Sequence, residues 1–551
     1  MLLGIDVGGT FTDAVLLQSG QVLAQTKKET THDNVLTGIL QALDSILAQY
    51  SVTSADLERV VISSTIVTNA ITENKIDPVF LAVITGPGMN VRGKFPVEPL
   101  CLSGYVDHRG KVTAPIDWKQ HSALLNLKGR GLAAVSSKFA VRNPSQELEM
   151  EHHFSQLGFS KIFAGSKLSG ELNFIRRTNS AYYAAAVYTL FKDFCSKIRQ
   201  ALEARGLLVP VHILKADGGT LPLEIALEQP VEAIFTGPAA SVLGIEALAA
   251  PKLNSISLDV GGTTTDIAFW QQGMPLMARK GASVKGYATA VRAFHMRSIG
   301  IGGDSRITKL STGAYQVGPE RQGKAAALGG AVATLSDALI VAGYVEFGDR
   351  QLSYEALKIW GNPEAEAPKI VAAAVNTIKA TIAEMLTEWA KQPVYTVDDV
   401  IKGTEFVPEQ LIGVGGGSLG LIKALGEAME LPVDIPAGAM VANAIGAAVA
   451  RPTMIANLRA DTTENSYLIP ESGQREKIRG SFNKAKAMAI LGDWLLEKTE
   501  SWQLPDRETE VIAYEHFNTF HSYFDSGDIY NLRMQLKPGI LCKVQGKEVD
   551  F

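Results

Sequence analysis

Asp6-Val-Gly-Gly-Thr-Phe-Thr-Asp13 recurs, with one change, as Asp259-Val-Gly-Gly-Thr-Thr-Thr-Asp266. Each copy follows a short apolar run (Leu2, Leu3, Ile5; Ile256, Leu258) and precedes another (Ala14 to Leu17; Ile267 to Trp270). That is the pattern of a strand, a tight Gly-Gly turn and a returning strand. Glycine lets backbone close on an anion, and successive turn N–H groups form a concave set of donors. Gly8, Gly9, Gly261 and Gly262 are therefore candidate phosphate contacts, joined by the hydroxyls of Thr10, Thr12, Thr263 and Thr264. Asp6 and Asp259, at the strand ends, would be repelled by phosphate but can hold magnesium or a magnesium-bound water. With Asp13 and Asp266 they make up the candidate catalytic carboxylates. Two such hairpins facing each other across a cleft would clamp an Mg-nucleotide from both sides, and the repetition separates this from two unrelated Gly-Gly hairpins.

The chain has 551 residues, too many for one core, and its length suggests roughly three to four domains. With 46% hydrophobic and 20% charged residues its composition is that of a soluble globular protein. A net charge of −5 argues against a general nucleic-acid binder, which needs a basic surface to displace counterions. Cys101, Cys195 and Cys542 are scattered without a CxxC, so neither a disulfide framework nor a cysteine metal cluster is expected, and a reducing cytoplasm fits best. The N-terminus lacks the charged and apolar regions of a signal peptide, and no apolar stretch is long and charge-free enough to read as a membrane span.

After the first hairpin, Asp33 or Asn34 can cap a helix with Val35, Ile39, Leu40, Leu43 and Leu47 on one face. Strands are expected at Arg59 to Ile62, Val79 to Ile84 and Leu132 to Val135, with a loop-rich region from about 86 to 130. Asn143-Pro144 reads as an N-cap and first helical residue. A long helix from about Asn179 to Arg205, ended by Gly206, links the first half to the second, where a strand near Val211 to Leu214 restarts the α/β rhythm. From roughly 460 onward the composition turns more charged and aromatic, with a helix near 482 to 500, and reads as a small separate domain.

Leu411 to Ser418 is a strand entering a glycine turn, followed by helical periodicity from Leu419 to Glu430. Gly415, Gly417 and Gly420 match GxGxxG, with Asp434 at about the ribose-binding spacing, so a nicotinamide or flavin site is the rival here. Nothing else in the chain specifically signals redox chemistry. The alternative groups Gly415, Gly416, Gly417 and Ser418 with the two hairpins, packing flat against an adenine or ribose with a helix N-terminus offering donors. Ala437 to Ala450 is then a helix of small residues suited to a close interdomain crossing.

Two Asp-Val-Gly-Gly-Thr hairpins, a later Gly-Gly-Gly-Ser loop and a small-residue helix, in that order, resemble the superfamily of sugar kinases, actin and heat-shock chaperone ATPases. Within it the match is to the hydantoinase A/oxoprolinase family, carried by Gly4 to Asp13, Lys138-Phe-Ala-Val-Arg-Asn-Pro144, Ala216-Asp-Gly-Gly219, Thr236-Gly-Pro-Ala-Ala-Ser241, Thr334-Leu-Ser-Asp-Ala338 and Asn443-Ala-Ile-Gly-Ala-Ala448. The resemblance covers about residues 1 to 450. It implies an α/β fold with two ribonuclease-H-like, actin-like ATPase domains around an Mg-ATP cleft: residues 1–180, to which helix 437–455 returns, and residues 181–436, followed by a small C-terminal domain at 460–551. It also implies an ATP-dependent enzyme that activates a lactam or ketone oxygen for ring hydrolysis or carboxylation, with ATP and Mg2+ as cofactors. A partner subunit of hydantoinase B type is expected, and a homo-oligomer is compatible with it. Nucleic acid and membrane are not expected partners. The alternative is an ATPase that activates or reactivates another enzyme, and a simple small-molecule kinase would differ by releasing a stable phosphorylated product.

The chain departs from the family pattern at Ser63-Ser64-Thr65 before Thr68-Asn69-Ala70, at Ala184, and at Gly302-Gly303-Asp304-Ser305, whose glycines are further candidate nucleotide contacts. Asp304 reads equally as a magnesium or substrate carboxylate and as a turn aspartate. Asp217 reads as a loop former, Arg176-Arg177 as solvated surface, and His152-His153 as helix residues on different faces. His295 lies near the second nucleotide half.

Overall fold

The computed structural model describes residues 1–30, 35–120, 131–391, 406–502, 507–522 and 525–547. The expected caps at Asp33 and Asn34, and residues 121–130 of the loop-rich region, lie outside them.

Both octapeptides fold as expected. The strands Leu2–Val7 and Phe11–Gln18 form the first hairpin, pairing Asp6 with Asp13, and Ser255–Val260 and Thr265–Gln271 form the second, pairing Asp259 with Asp266. Each hairpin is the nucleus of a sheet. The first runs Gln21–Glu29, Phe11–Gln18, Leu2–Val7, Arg59–Ser64, Val211–Leu214, Thr220–Pro222, antiparallel through the hairpin and then parallel from Leu2–Val7 through Val211–Leu214. The second repeats this plan, with Gln410–Val414 and Val433–Asp434 running parallel to Ser255–Val260. Two sheets of this antiparallel-then-parallel order are the two actin-like domains. Their central strands are buried on both faces, as parallel strands covered by helices must be.

The first sheet reaches further along the chain than the boundary expected at residue 181. The helix Phe174–Glu203 begins earlier than residue 179, because the Asn173 side chain accepts from Arg176 N–H and caps it. It packs into the core of the first sheet and returns the chain to that sheet, where Val211 pairs with Val60 and Ile213 with Ile62. Residues 211–222 thus belong to the first half. A four-stranded sheet (Lys161–Ala164, Leu132–Ser137, Val79–Ile84, Leu100–Cys101) flanks this domain, with the helix Ser145–Gln156 starting just after Asn143-Pro144. Arg177 is fully buried rather than solvated. It donates to the Ser137, Lys138 and Glu171 carbonyls, which ties the flanking sheet to the long helix.

The two halves meet where the helix Thr236–Leu248 crosses the helix Ala442–Val449. A Cβ on Gly244 would lie 2.2 Å from the Ala442 carbonyl oxygen, and one on Gly446 would lie 1.9 Å from that of Ala240, so backbone touches backbone. The second helix also presses on the first hairpin: a Cβ at Gly4 would lie 2.1 Å from the Ala444 carbonyl oxygen.

C-terminal to this junction, Ile455–Asp461, Ser466–Ile469, Gln474–Lys477, Thr509–Ser522 and Asp525–Leu536 form a five-stranded sheet, whose core includes apolar residues of the helix Lys484–Lys498. This unit starts a few residues earlier than expected and does not keep the chain's end. Ile540 bridges to Ala450, Gln545 bridges to Gln21, and Val544 is buried with Leu2, Val15 and Val441. The helix Pro363–Ala390 is long and apolar enough to cross a membrane, but its buried face (Ile370, Val371, Ala374, Ile378, Ile382, Met385) is part of the second core.

Gly446→Ala is expected to destabilise the chain by about 1–3 kcal/mol, the usual effect of overpacking. Gly492→Ala, whose Cβ would only meet Met534 Cε at 3.7 Å, is expected to be neutral or stabilising by up to about 1 kcal/mol. Urea denaturation of the two variants checks both outcomes.

Candidate active site

Register places the hairpin turns at the carboxyl ends of the central strands of the two sheets, and the helix crossing turns them toward each other. Gly8 N–H donates to the Phe11 carbonyl at 3.0 Å and Gly261 N–H to that of Thr264 at 2.9 Å, closing both turns. The tips nearly touch: a Cβ on Gly262 would come within 3.2 Å of Thr10 Cγ2. Between them lies a cavity of ≈ 140 Å³. Asp6, Gly8, Gly9, Thr10 and Asp13 line it from one side, and Asp259, Gly261, Gly262, Thr263, Thr264 and Asp266 from the other, with Gly415 and Gly416 closing it. A contiguous chamber of ≈ 320 Å³ shares Phe11, Lys27, Gly261, Gly262 and Gly416 with it and continues past Gly303, Asp304 and Gly417 to Leu339, Val345, Phe347 and Leu419. The first chamber is walled by carboxylates, glycine turns and hydroxyls and is sized for phosphates, and the second is apolar and wide enough for a base.

Thr12 is not in the site. Side chains alternate along a strand, so Phe11 and Asp13 face the cavity while Thr12 points the other way. Its hydroxyl is buried against Thr30 Oγ1 at 3.0 Å. Thr265, its counterpart in the second hairpin, likewise turns away and donates to the Ile301 carbonyl. Gly302 lines neither chamber. A Cβ on it would lie 2.5 Å from the Gly262 carbonyl carbon, and its absence lets the 302–304 loop seat on the second hairpin, where Gly303 N–H and Asp304 N–H donate to the Gly261 and Gly262 carbonyls. Asp304 is paired with Arg321 at 2.9 Å. Ser418 is the first residue of the helix Ser418–Met429. Asp434 lines neither chamber, so the spacing that suggested a ribose carboxylate leads away from them. His295 is enclosed by Phe269 and Trp389 and also lies outside both chambers. His153 stacks on Trp118, and His152 shares a hydrogen bond with Gln156.

Burial and mutual repulsion raise the pKa of the hairpin carboxylates. Desolvation lifts Asp6 to about 7, aided by Asp13 and Asp259 and opposed by hydrogen bonds from Ser63 and Asn443. Burial and the Asp259 charge lift Asp266 to about 7. Asp13 and Asp259 are raised by burial as well, the former partly offset by Lys27, whose Nζ reaches its carboxylate at 2.7 and 2.9 Å. Asn443 Nδ2 donates to Asp259 at 2.9 Å and also serves Asp6, so one amide joins the two strand-end carboxylates. Asp6 Oδ1 is buried without a protein partner. Clustered carboxylate oxygens with an orphaned acceptor suit a hard divalent cation, and Asp6 and Asp259 are the residues that would hold magnesium. For the phosphates, the N-terminus of the helix Thr236–Leu248 brings Gly237 and Pro238 to the wall, and the helix dipole favours an anion there.

A family profile described as hydantoinase/oxoprolinase matches residues 177–456, and one for the N-terminal region of the same family matches residues 2–158. The chain belongs to the hydantoinase/oxoprolinase family. It is 25% identical to the caprolactamase alpha subunit of Pseudomonas jessenii over 63% of its own length and 55% of that protein. It is 23% identical to the acetone carboxylase beta subunit of Xanthobacter autotrophicus over 82% and 69%, and 24% identical to the 5-oxoprolinase of Saccharomyces cerevisiae over 42% and 18%. The chain spans about half the length of the first curated relatives it matches. Among solved structures, ATP-dependent caprolactamase from P. jessenii superposes with a TM-score of 0.69 at 19% identity, covering 100% of this chain and 89% of that one. Nucleotide-free acetone carboxylase superposes at 0.66 and 18%, covering 98% and 88%. These likenesses show the shared fold.

In this member of the family, several wall residues have no counterpart among the motif residues read as ligands: Lys27, Thr65, Gly237, Pro238, Met440 and Asn443. Gly237, Pro238 and Asn443 lay inside stretches that carried the family resemblance, without a role. Lys27 had no signal, being one of two adjacent lysines on an edge strand. Ser63, a departure from the family pattern, supports Asp6 and meets Thr236 Oγ1 at 3.3 Å.

Asp6 makes a pH prediction for the metal-free protein. Its folded pKa of about 7 exceeds the ordinary 3.8, so its contribution to stability is full below about pH 4 and lost as pH rises to 7. Asp6→Asn is therefore expected to gain thermal stability relative to the parent chain between pH 5 and 8. Melting both proteins in EDTA across that range checks the sign.

Proposed function

We propose that this chain is an ATP-dependent enzyme that phosphorylates the carbonyl oxygen of a small lactam or ketone, driving hydrolysis or carboxylation completed with a second polypeptide. The observation that carries it is the pair of hairpins facing one cavity, four carboxylates and two glycine turns opposed across a space for phosphates. The adjoining apolar chamber supports a nucleotide base there. Relatives whose names specify caprolactamase, acetone carboxylase and 5-oxoprolinase support carbonyl activation as the outcome. Two of them are named as subunits, which supports a partner chain.

The chemistry follows from the site. Amide resonance makes a lactam carbonyl a poor electrophile. Attack of its oxygen on the γ-phosphorus forms one P–O bond while the bond to the β–γ bridging oxygen breaks, and ADP leaves with the electron pair. For a lactam, the former carbonyl oxygen becomes a leaving group and the carbon an electrophile; for a ketone, loss of an α-proton leaves an enol phosphate whose α-carbon is the nucleophile toward a carboxyl donor, and neither route requires a protein nucleophile. The chain's contribution is positioning and charge neutralisation. The Gly8 and Gly261 amides close the turns, which leaves the backbone amides of Gly9, Thr10, Gly262 and Thr263 to hold the phosphates. Lys27, on the border of both chambers, is placed to exchange Asp13 for phosphate oxygens. Magnesium at Asp6 and Asp259 would offset the charge between β- and γ-phosphates.

Asp6→Asn and Asp259→Asn are each expected to lower Mg-dependent ATP turnover by about 100-fold, the scale of losing one preorganised electrostatic contact, with the fold retained. The assay follows ADP release by the purified chain with hydantoin, 5-oxoproline, caprolactam and acetone, products identified by mass. Unchanged turnover in both variants would contradict the clamp. Turnover indifferent to every carbonyl compound would favour an activator of another protein.

A further inference from the structure

The two chambers of the cleft meet at Gly262, which lines both. A nucleotide runs in the order phosphates, ribose, base. With phosphates between the hairpin turns and a base against Leu339, Val345 and Phe347, the ribose falls at this border. One carboxylate stands there. Asp304 lines the apolar chamber, and its N–H donates to the Gly262 carbonyl at 2.7 Å. Its side chain is close as well: a Cβ on Gly262 would come within 3.0 Å of Asp304 Oδ2. Asp304 is also a position where the chain departs from the family pattern, so its role belongs to this chain rather than to the shared motif.

The bonding of this carboxylate narrows its use. Arg321 Nε and Nη2 both donate to Oδ2, at 3.1 and 2.9 Å, whereas Oδ1 accepts from no donor among the described residues. Arg321 is not part of the chamber wall, so it anchors the carboxylate and leaves the second oxygen for a ligand. The backbone is anchored too, since the Asp304 carbonyl accepts from Gln322 N–H at 2.8 Å. A carboxylate repels phosphate, and the guanidinium already on one oxygen opposes a metal ion on the other. An ionised carboxylate is an acceptor only, so the group it meets must be a donor.

The rest of the chamber points the same way. Ser336 lines it, and its hydroxyl proton is given to the Gly303 carbonyl at 2.9 Å, which leaves the Ser336 oxygen as an acceptor. Apart from Lys27, which faces Asp13, no other polar side chain among the described residues lines this chamber. A sugar hydroxyl brought here from water must therefore be satisfied by Asp304 or Ser336, or it goes unpaired at a cost.

We propose that Asp304 reads the ribose of the bound nucleotide: its carboxylate, held by Arg321, accepts a hydrogen bond from a ribose hydroxyl and makes the site selective for ribonucleotides over deoxyribonucleotides. The assignment rests on the reading of the hairpin cleft as a nucleotide site and is independent of what the nucleotide is used for.

The test is calorimetric binding of ADP, 2′-deoxy-ADP and 3′-deoxy-ADP to the purified chain with magnesium and no carbonyl compound. At least one deoxynucleotide is expected to bind about tenfold or more weakly than ADP, the usual scale for losing a hydrogen bond to a charged group. Asp304→Ala should bring ADP down to the level of that deoxynucleotide and weaken the deoxynucleotide itself by less than about twofold, so that the discrimination disappears. Asp304→Asn, which retains an acceptor oxygen, should lose less, and circular dichroism checks that both variants fold. A merely structural Asp304–Arg321 pair would instead weaken all three ligands alike in Asp304→Ala, and that result overturns the proposal. So does equal binding of the three ligands to the parent chain, including the case in which inosine diphosphate binds tenfold more weakly and the carboxylate reads the adenine amine. If ADP does not bind at all, the nucleotide site falls and the ribose assignment with it. Ribose-selective binding without turnover of any carbonyl compound contradicts carbonyl activation and leaves the assignment of Asp304 standing.

Discussion

The constraint on which the two-domain arrangement depends is a backbone contact. Two helices, Thr236–Leu248 and Ala442–Val449, approach until carbonyl oxygens fill the space where side chains at Gly244 and Gly446 would stand. Because the first helix starts at the cavity wall and the second lies on the first hairpin, their crossing fixes how the two sheets face each other. Asn443, on the second helix, then reaches both Asp6 and Asp259. The same small-residue seam that joins the domains thus holds the paired carboxylates in register, and a bulkier residue at Gly446 would disturb both.

The site stores unfavourable electrostatics. Four aspartates are brought close together and buried, which raises the pKa of each, and among the described residues Lys27 pairs with one of them, Asp13. Such a cluster opposes folding of the empty protein and favours whatever brings positive charge between the hairpins. That is the expected signature of a functional site rather than of a structural core. Arg177 shows the contrast. It too is buried with its charge, but three carbonyls accept from it, so it serves as a tie between elements.

Much of this was legible in the chain because the hairpins are written locally. Strand, Gly-Gly turn and returning strand lie within eight residues, and their repetition gave the two-fold plan. What was not legible depends on long-range pairing. Nothing near Val211 shows that it joins Arg59–Ser64 rather than the second sheet, because the thirty-residue helix before it is compatible with either. Thr12 shares its residue type with the turn threonines but not their direction, because the alternation of its strand turns it away from the cavity. Lys27 comes to the cavity only because its strand pairs with Phe11–Gln18 and the second domain closes over it. Arg177 looked like surface because a paired-arginine pattern carries no sign of the carbonyls that receive it. Residues 540–545 return to the first hairpin's neighbourhood through contacts that no local pattern announces.

The glycine loop at Gly415–Gly417 illustrates why context decides such motifs. By spacing it fits a dinucleotide fold, but a Cβ on Gly415 would lie 2.4 Å from Asp259 Oδ1, so this turn is built against the second hairpin's carboxylate. The measurement that tests this account most directly is a crystal structure of the chain with Mg2+ and a non-hydrolysable ATP analogue. The account predicts the terminal phosphates between Gly8–Thr10 and Gly261–Thr263, metal at Asp6 and Asp259, and the base in the chamber bounded by Gly417 and Val345. A nucleotide lying along Gly415–Gly420 with its ribose at Asp434, leaving the space between the hairpins empty, would contradict it.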